Sequence, residues 1–148
     1  NPDWQERFDY VIVVGSVISS EDERNRQMLQ EFYKVLKPGG KLYGSFPSIF
    51  WDLETAYLSQ ENAYWLTDGS INLSDSAVSV PEYNHREIYY TPLRLNRIFK
   101  EAKFKRIGFE LFFADSDILV KQQKEKAGIN DPDICYWEFI VRLEKEKL

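Results

Sequence analysis

A chain of 148 residues, 43% of them hydrophobic, fits one domain with a real core. Its net charge of −5 argues against nucleic acid as a partner, because phosphate binding wants a basic face; the cluster Lys100, Lys103, Lys105 and Arg106 reads as a solvated helix end. One cysteine and one histidine exclude an internal disulfide and a structural zinc, and fit a reducing, cytoplasmic setting.

Cys135 sits in a strand-like run, the place of a small core residue. No apolar run approaches the ~20 residues needed to span a bilayer, and no signal peptide is visible. The chain opens Asn1-Pro2 with no Met, so we expect it to begin inside a longer protein.

Residues 1–7 are a polar lead-in, with Trp4 expected to cover the bottom of a sheet. Val11-Ile12-Val13-Val14 is an unbroken β-branched run, the pattern of a parallel strand buried on both faces. Ser20-Glu21-Asp22-Glu23 opens a helix, with Ser20 as N-cap and acidic groups against the positive end of the dipole. Met28, Leu29, Phe32, Val35 and Leu36 return at helical spacing and give one apolar face. Lys37-Pro38-Gly39-Gly40 is expected to stop the helix, with glycine in the left-handed C′ position. Leu42 to Phe46 follows as a strand. Strand, helix and strand predict a right-handed crossover between parallel neighbours.

From Ile49 to Tyr90 there is no strong period, and a connection of that length is either functional or structured by itself. Short helices are expected near 52–59 and 61–66, with a turn at Asp68-Gly69-Ser70. Thr91-Pro92 marks the N-cap and first residue of a second helix, whose face is Leu95, Ile98, Phe99 and Ala102. Ile107, Phe109, Leu111 and Phe113 alternate as a strand. A polar stretch follows, with a helix expected over Asp117–Lys126. Cys135, Trp137, Phe139, Val141 and Leu143 then alternate as a last strand. Two late strands joined by a polar connection predict an antiparallel pair at one sheet edge. The class is α/β.

Several stretches stand in a specific order: Phe8-Asp9-Tyr10-Val11-Ile12, then Val35-Leu36-Lys37-Pro38-Gly39-Gly40-Lys41-Leu42, then Ser45-Phe46-Pro47-Ser48. After them come His85-Arg86-Glu87-Ile88-Tyr89-Tyr90-Thr91-Pro92 and a helix ending Glu101-Ala102-Lys103-Phe104. Each is weak alone, but in this order, across nearly the whole chain, they resemble the C-terminal half of a class I S-adenosylmethionine (SAM)-dependent methyltransferase. The group it looks like acts on small molecules, lipids or sugars. The resemblance implies a partial Rossmann-like sheet, strands four to seven with the last pair antiparallel, in a single truncated domain over 1–148. Residues 49–90 would form a lid-like, substrate-side insertion after the second strand.

Two departures from the family stand out. Glycine is common there at the position of Lys103, and a side chain in a left-handed C-cap costs ~1 kcal/mol, so the second helix is expected to end differently. The family's first strand, Gly-rich turn and acidic second-strand end are absent, and the seven glycines contain no G-x-G pair. That turn lets backbone approach the cofactor, and the acidic residue holds the ribose hydroxyls. The expectation is one wall of a SAM site, with SAM bound only once the missing half is supplied.

By resemblance that wall is Val14, Gly15, Ser16 and Val17, following the family's fourth strand; the alternative is a plain strand-end turn. His85 would lie on the cofactor and substrate side, where a histidine can take a proton from a hydroxyl or amine; equally, it fixes a turn through backbone hydrogen bonds. Trp51, Trp65, Tyr83, Tyr89 and Tyr90 either line a pocket for a small-molecule acceptor or pack the long segment onto the sheet. Methyl transfer asks little of side chains beyond alignment and exclusion of water.

Two functions stay open: the C-terminal portion of a methyltransferase, and a non-catalytic methyltransferase-like binding or scaffolding subunit. A dehydrogenase fragment is a third, against which the stretch from His85 to Pro92 speaks. In the first two readings Val11–Val14 has no neighbour on one side, an apolar edge that proteins avoid exposing. The N-terminal half, a partner chain or a second copy is expected to cover it.

Overall fold

The computed structural model describes residues 2–14, 17–50, 53, 71–72, 77–80, 85–113, 121 and 136–147. They form two compact units, the first of 1–46, 92–110 and 140–148, the second of 47–91 and 111–139. After a short 3-10 turn at Pro2–Trp4, the first unit is built on strand β1 (Phe8–Val13), helix α1 (Asp22–Val35) and strand β2 (Leu36–Pro47). β1 and β2 are parallel, with Val11 beside Leu42 and Ile12 beside Tyr43.

Helix α1 begins one residue later than its sequence predicts, and by another device. Its N-cap is Glu21, whose side chain makes no capping bond; Ser20 is exposed. The entry is fixed instead by Asn25, which is 1% exposed. Its Oδ1 accepts the Ser19 N–H at 2.7 Å, and its Nδ2 donates to the Ser19 carbonyl at 2.8 Å. A two-point bond from a buried amide prevails over a single bond from an exposed hydroxyl, which water can replace.

The helix also stops for a different reason. It ends at Val35, and the strand begins at Leu36, before the glycines are reached. Pairing takes over there, since Leu36 is already the partner of Phe8. The last carbonyls find donors outside the helix: Lys34 O accepts from Glu6 N at 3.0 Å and Val35 O from Arg7 N at 2.9 Å. Gly39 does take a left-handed φ of 78°, but inside β2, where its N–H reaches Lys145 O at 2.7 Å.

Helix α2 (Pro92–Glu101) starts at the predicted proline and buries Leu95, Ile98 and Phe99. Contrary to expectation, it ends in the glycine-type way without a glycine. Lys103 has φ 67°, Phe104 N–H bonds Phe99 O at 2.9 Å, and Lys103 N–H bonds Lys100 O at 2.9 Å. Those two bonds make a Schellman motif. Phe104, 4% exposed, packs its ring edge to face on Tyr33 at 5.2 Å, and that burial offsets the strained backbone. Lys103→Gly is therefore expected to stabilise the chain by ~1 kcal/mol, read as a higher midpoint in urea unfolding. An unchanged or lower midpoint would contradict the left-handed cap.

An ionic cluster joins the two helices. Asp22 Oδ2 accepts from Arg26 Nε and from Arg94 NH2, each at 2.9 Å, and Arg26 also bonds Glu101. Burial pushes the Asp22 carboxyl up, but the hydrogen bonds and charges of Arg26 and Arg94 outweigh it, and its pKa falls below the ordinary carboxylate value. A depressed folded pKa means stability that is present above the unfolded value of about 3.9 and is lost as pH falls through the folded one. Asp22→Asn is expected to unfold at a lower urea concentration than the parent at pH 7. The gap should begin to narrow as pH falls through about 4 and close once pH is below the folded pKa; a gap that persists undiminished into strong acid would refute the assignment.

The sheet has the order β1-β2-β7-β6, with β6 at Lys105–Phe113 and β7 at Tyr136–Glu144. The unit boundary cuts β6 after Glu110 and β7 before Ile140. Lys105 faces Glu146 while Glu110 faces Arg142, the order that an antiparallel pair gives. β1 is one edge of this sheet and β6 the other. Leu29, Leu36, Leu42, Phe46, Leu95 and Phe99 are 0–1% exposed, and Phe46 meets Phe99 edge to face at 5.3 Å.

In the second unit the segment read as unperiodic holds a small antiparallel sheet: β3 (Ile71–Asn72), β4 (Ala77–Val80) and β5 (His85–Ile88). Ile71 pairs with Val78, and Val80 with His85. A parallel bridge joins Ser48 to Tyr90, where Tyr90 N–H donates to Pro47 O at 2.9 Å. Phe50 packs on buried Phe139 at 5.8 Å. Most of the expected helices at 52–59, 61–66 and 117–126, and the turn at 68–70, lie outside the described residues; Leu53 and Lys121 are helical.

Candidate functional site

In an open parallel sheet, ligands bind beyond the carboxyl ends of the strands. Here that place follows β1. Val17 N–H donates to Val14 O at 3.0 Å, closing a four-residue turn directly after the strand. Val14 is 59% and Val17 53% exposed. Gly15 and Ser16, the middle of the turn, lie outside the described residues. The chain is pinned again at Ser19 by Asn25, so the turn is held at both ends. Asn25 was missed in the sequence, although the helix's apolar period runs back through it as 25, 28, 29 and 32.

The side chains of Val14 and Val17 offer apolar contact and no hydrogen bond, so any polar contact from the described part of this turn comes from its backbone.

β1 itself departs from the expected burial. Val13 is 2% exposed, but Tyr10 is 63% and Ile12 77% exposed, and Phe8 and Val14 are exposed with them. Alternation sends these side chains to one face of the sheet, with Tyr43 of β2 beside Ile12 and its ring 6.2 Å from Tyr10. The β-branched run is therefore buried on one face only. Among the described residues β1 has one strand neighbour, β2, and nothing lies over Ile12.

The other sequence candidates fall in the second unit. Trp51, Trp65 and Tyr83 lie outside the described residues. His85 is the first residue of β5, paired with Val80, with its backbone alone described. Tyr89 is half-buried, and Tyr90 is fully buried with its backbone bridging Pro47 and Ile49. Among the described residues no three His, Cys, Asp or Glu side chains could hold a metal, and no helix is long and apolar enough to cross a membrane.

No family model matches this sequence, and no curated protein does. Solved structures do. A SAM-dependent methyltransferase from Methanosarcina mazei matches 97% of this chain with a TM-score of 0.66 at 16% identity, over 62% of its own length. Another from Mesorhizobium loti matches 95% with a TM-score of 0.52 at 14% identity, again over 62% of its length. The [4+2]-cyclase SpnF matches 97% with a TM-score of 0.54 at 13% identity, over 52% of its length. The chain thus shares the fold of SAM-dependent methyltransferases and spans less than two thirds of the relatives named. At these identities the likeness is one of fold, and the cyclase shows that the fold carries other chemistry.

Proposed function

We propose that this chain is the C-terminal portion of a SAM-dependent methyltransferase acting on a small molecule, lipid or sugar. It contributes one wall of the cofactor site at Val14–Val17 and an acceptor-side lid from residues 49–90, in which Trp51, Trp65, Tyr83, Tyr89 and Tyr90 meet the acceptor. His85 is the candidate base. SAM, when bound, supplies the methyl group; this chain's part is to orient the acceptor and keep water out. The cofactor is held only when a Gly-rich N-terminal half completes the sheet beyond β1. The observation that carries the reading is a methyltransferase-like fold that covers 97% of this chain and 62% of the relative.

Calorimetry with SAM tests it on two proteins, this 148-residue chain and the longest native reading frame that contains it. The expected result is no measurable heat from the chain alone and micromolar or tighter binding by the longer protein. No binding by either would favour the second reading, a methyltransferase-like scaffold that pairs through its open strand edge. The edge position of β1, which has β2 as its one strand neighbour among the described residues, supports that alternative equally.

A further inference from the structure

At the opposite end of β1 the first unit holds a cleft of about 730 Å³, lined among others by Glu6, Tyr33, Lys34, Glu101, Lys103 and Lys145. Strand rise puts it ~20 Å from the Val14–Val17 turn, and small-molecule sites run from about 300 to 1,000 Å³. Three segments that end here and one that begins here bring these residues together: the ends of α1, α2 and β7, and the entry to β1.

Charge in the cleft is unevenly settled. The Lys145 ammonium, 9% exposed, donates to Glu6 Oε1 at 3.1 Å and Leu36 O at 2.9 Å, and sits 4.8 Å over the Tyr33 ring. Lys34 is paired with Glu31, and Glu101 with Arg26 and Arg97. Lys103 is the lining charge with no ion-pair partner among the described residues. Helix carbonyls that would repel an anion are already used, Lys34 O and Val35 O by Glu6 and Arg7, Phe99 O and Lys100 O by Phe104 and Lys103.

Backbone conformation singles out the same place. Among the described residues, Glu6 (φ 50°) and Lys103 (φ 67°) are the non-glycine residues with left-handed backbone, and both line this cleft. Lys103 keeps a long charged side chain where glycine is favoured, and strain held at a concave site is a pointer to binding. We infer that this cleft binds a small polyanion, bearing phosphate or several carboxylates, with the Lys103 ammonium as its principal contact.

Thermal unfolding of the 148-residue chain tests this with sodium pyrophosphate and, separately, trisodium citrate, each against NaCl at equal ionic strength. A saturable rise of about 3–6 °C is expected at ten times the dissociation constant. Pyrophosphate alone would mark a phosphate ligand, citrate alone a polycarboxylate, and both the shared chemistry. Lys103→Gly should show opposite signs, a higher midpoint without anion and no anion-dependent rise, while Lys103→Arg keeps the rise. Equal shifts from NaCl, no shift from either anion, or a full shift in Lys103→Gly would overturn the assignment.

Discussion

Phe99→Ala is expected to lower the unfolding free energy by about 3–5 kcal/mol. The side chain is 1% exposed and packs edge to face on Phe46 at 5.3 Å, so truncation loses both area and an aromatic pair. Its neighbours Leu95 and Ile98 are equally buried on α2, which leaves little room for the cavity to collapse. Small domains carry only about 5–15 kcal/mol in total, so the variant should be marginal and its urea transition far to the left. Phe99→Leu is the control, expected to cost less than about 2 kcal/mol because most of the volume stays. An alanine variant within 1 kcal/mol of the parent would mean that α2 is not packed on the sheet as described.

Ile12→Lys carries the second large effect, and it falls on association. Ile12 is 77% exposed on an edge strand, so a charge there should leave the isolated fold within about 0.5 kcal/mol of the parent. Covering that residue contributes about 1.5–3 kcal/mol to whatever docks, which is a tenfold or greater loss of affinity on substitution. Lysine on an edge is also how natural sheets discourage pairing. Analytical ultracentrifugation of parent and variant measures the difference. Equal association constants would show that β1 is not the joining surface. A variant that fails to fold would show that Ile12 is not on an open face.

The helices were legible because their signals are local and repeated: Leu29 in α1, and Leu95, Ile98 and Phe99 in α2, fall on the predicted apolar faces. The core of the last strand at Phe139, Val141 and Leu143 was legible from a period of two, and the strand holding Leu42 and Phe46 from its place after the glycines. β1 was found, but its burial was misread. A β-branched run looks the same whether both faces are covered or one partner is missing, because the pattern records what the strand needs. β3, β4 and β5 were not seen; at two to four residues each they are too short for alternation to show. The helix ends were misassigned where tertiary partners decided them. Asn25 closes α1 from inside the helix, and the Lys103 cap is held by Phe104 on Tyr33. For the candidate site, the turn at Val14–Val17 was located from sequence, but the clamp at its far end was not.

The joining edge itself is tested most directly by the mass of this chain in solution, from size-exclusion chromatography with light scattering over a range of concentrations. If β1 is the ribbon at which a larger sheet has been cut, the chain should associate or aggregate alone. It should form a defined complex when the upstream half is supplied. A soluble single-chain species, stable at every concentration and indifferent to that half, would contradict it.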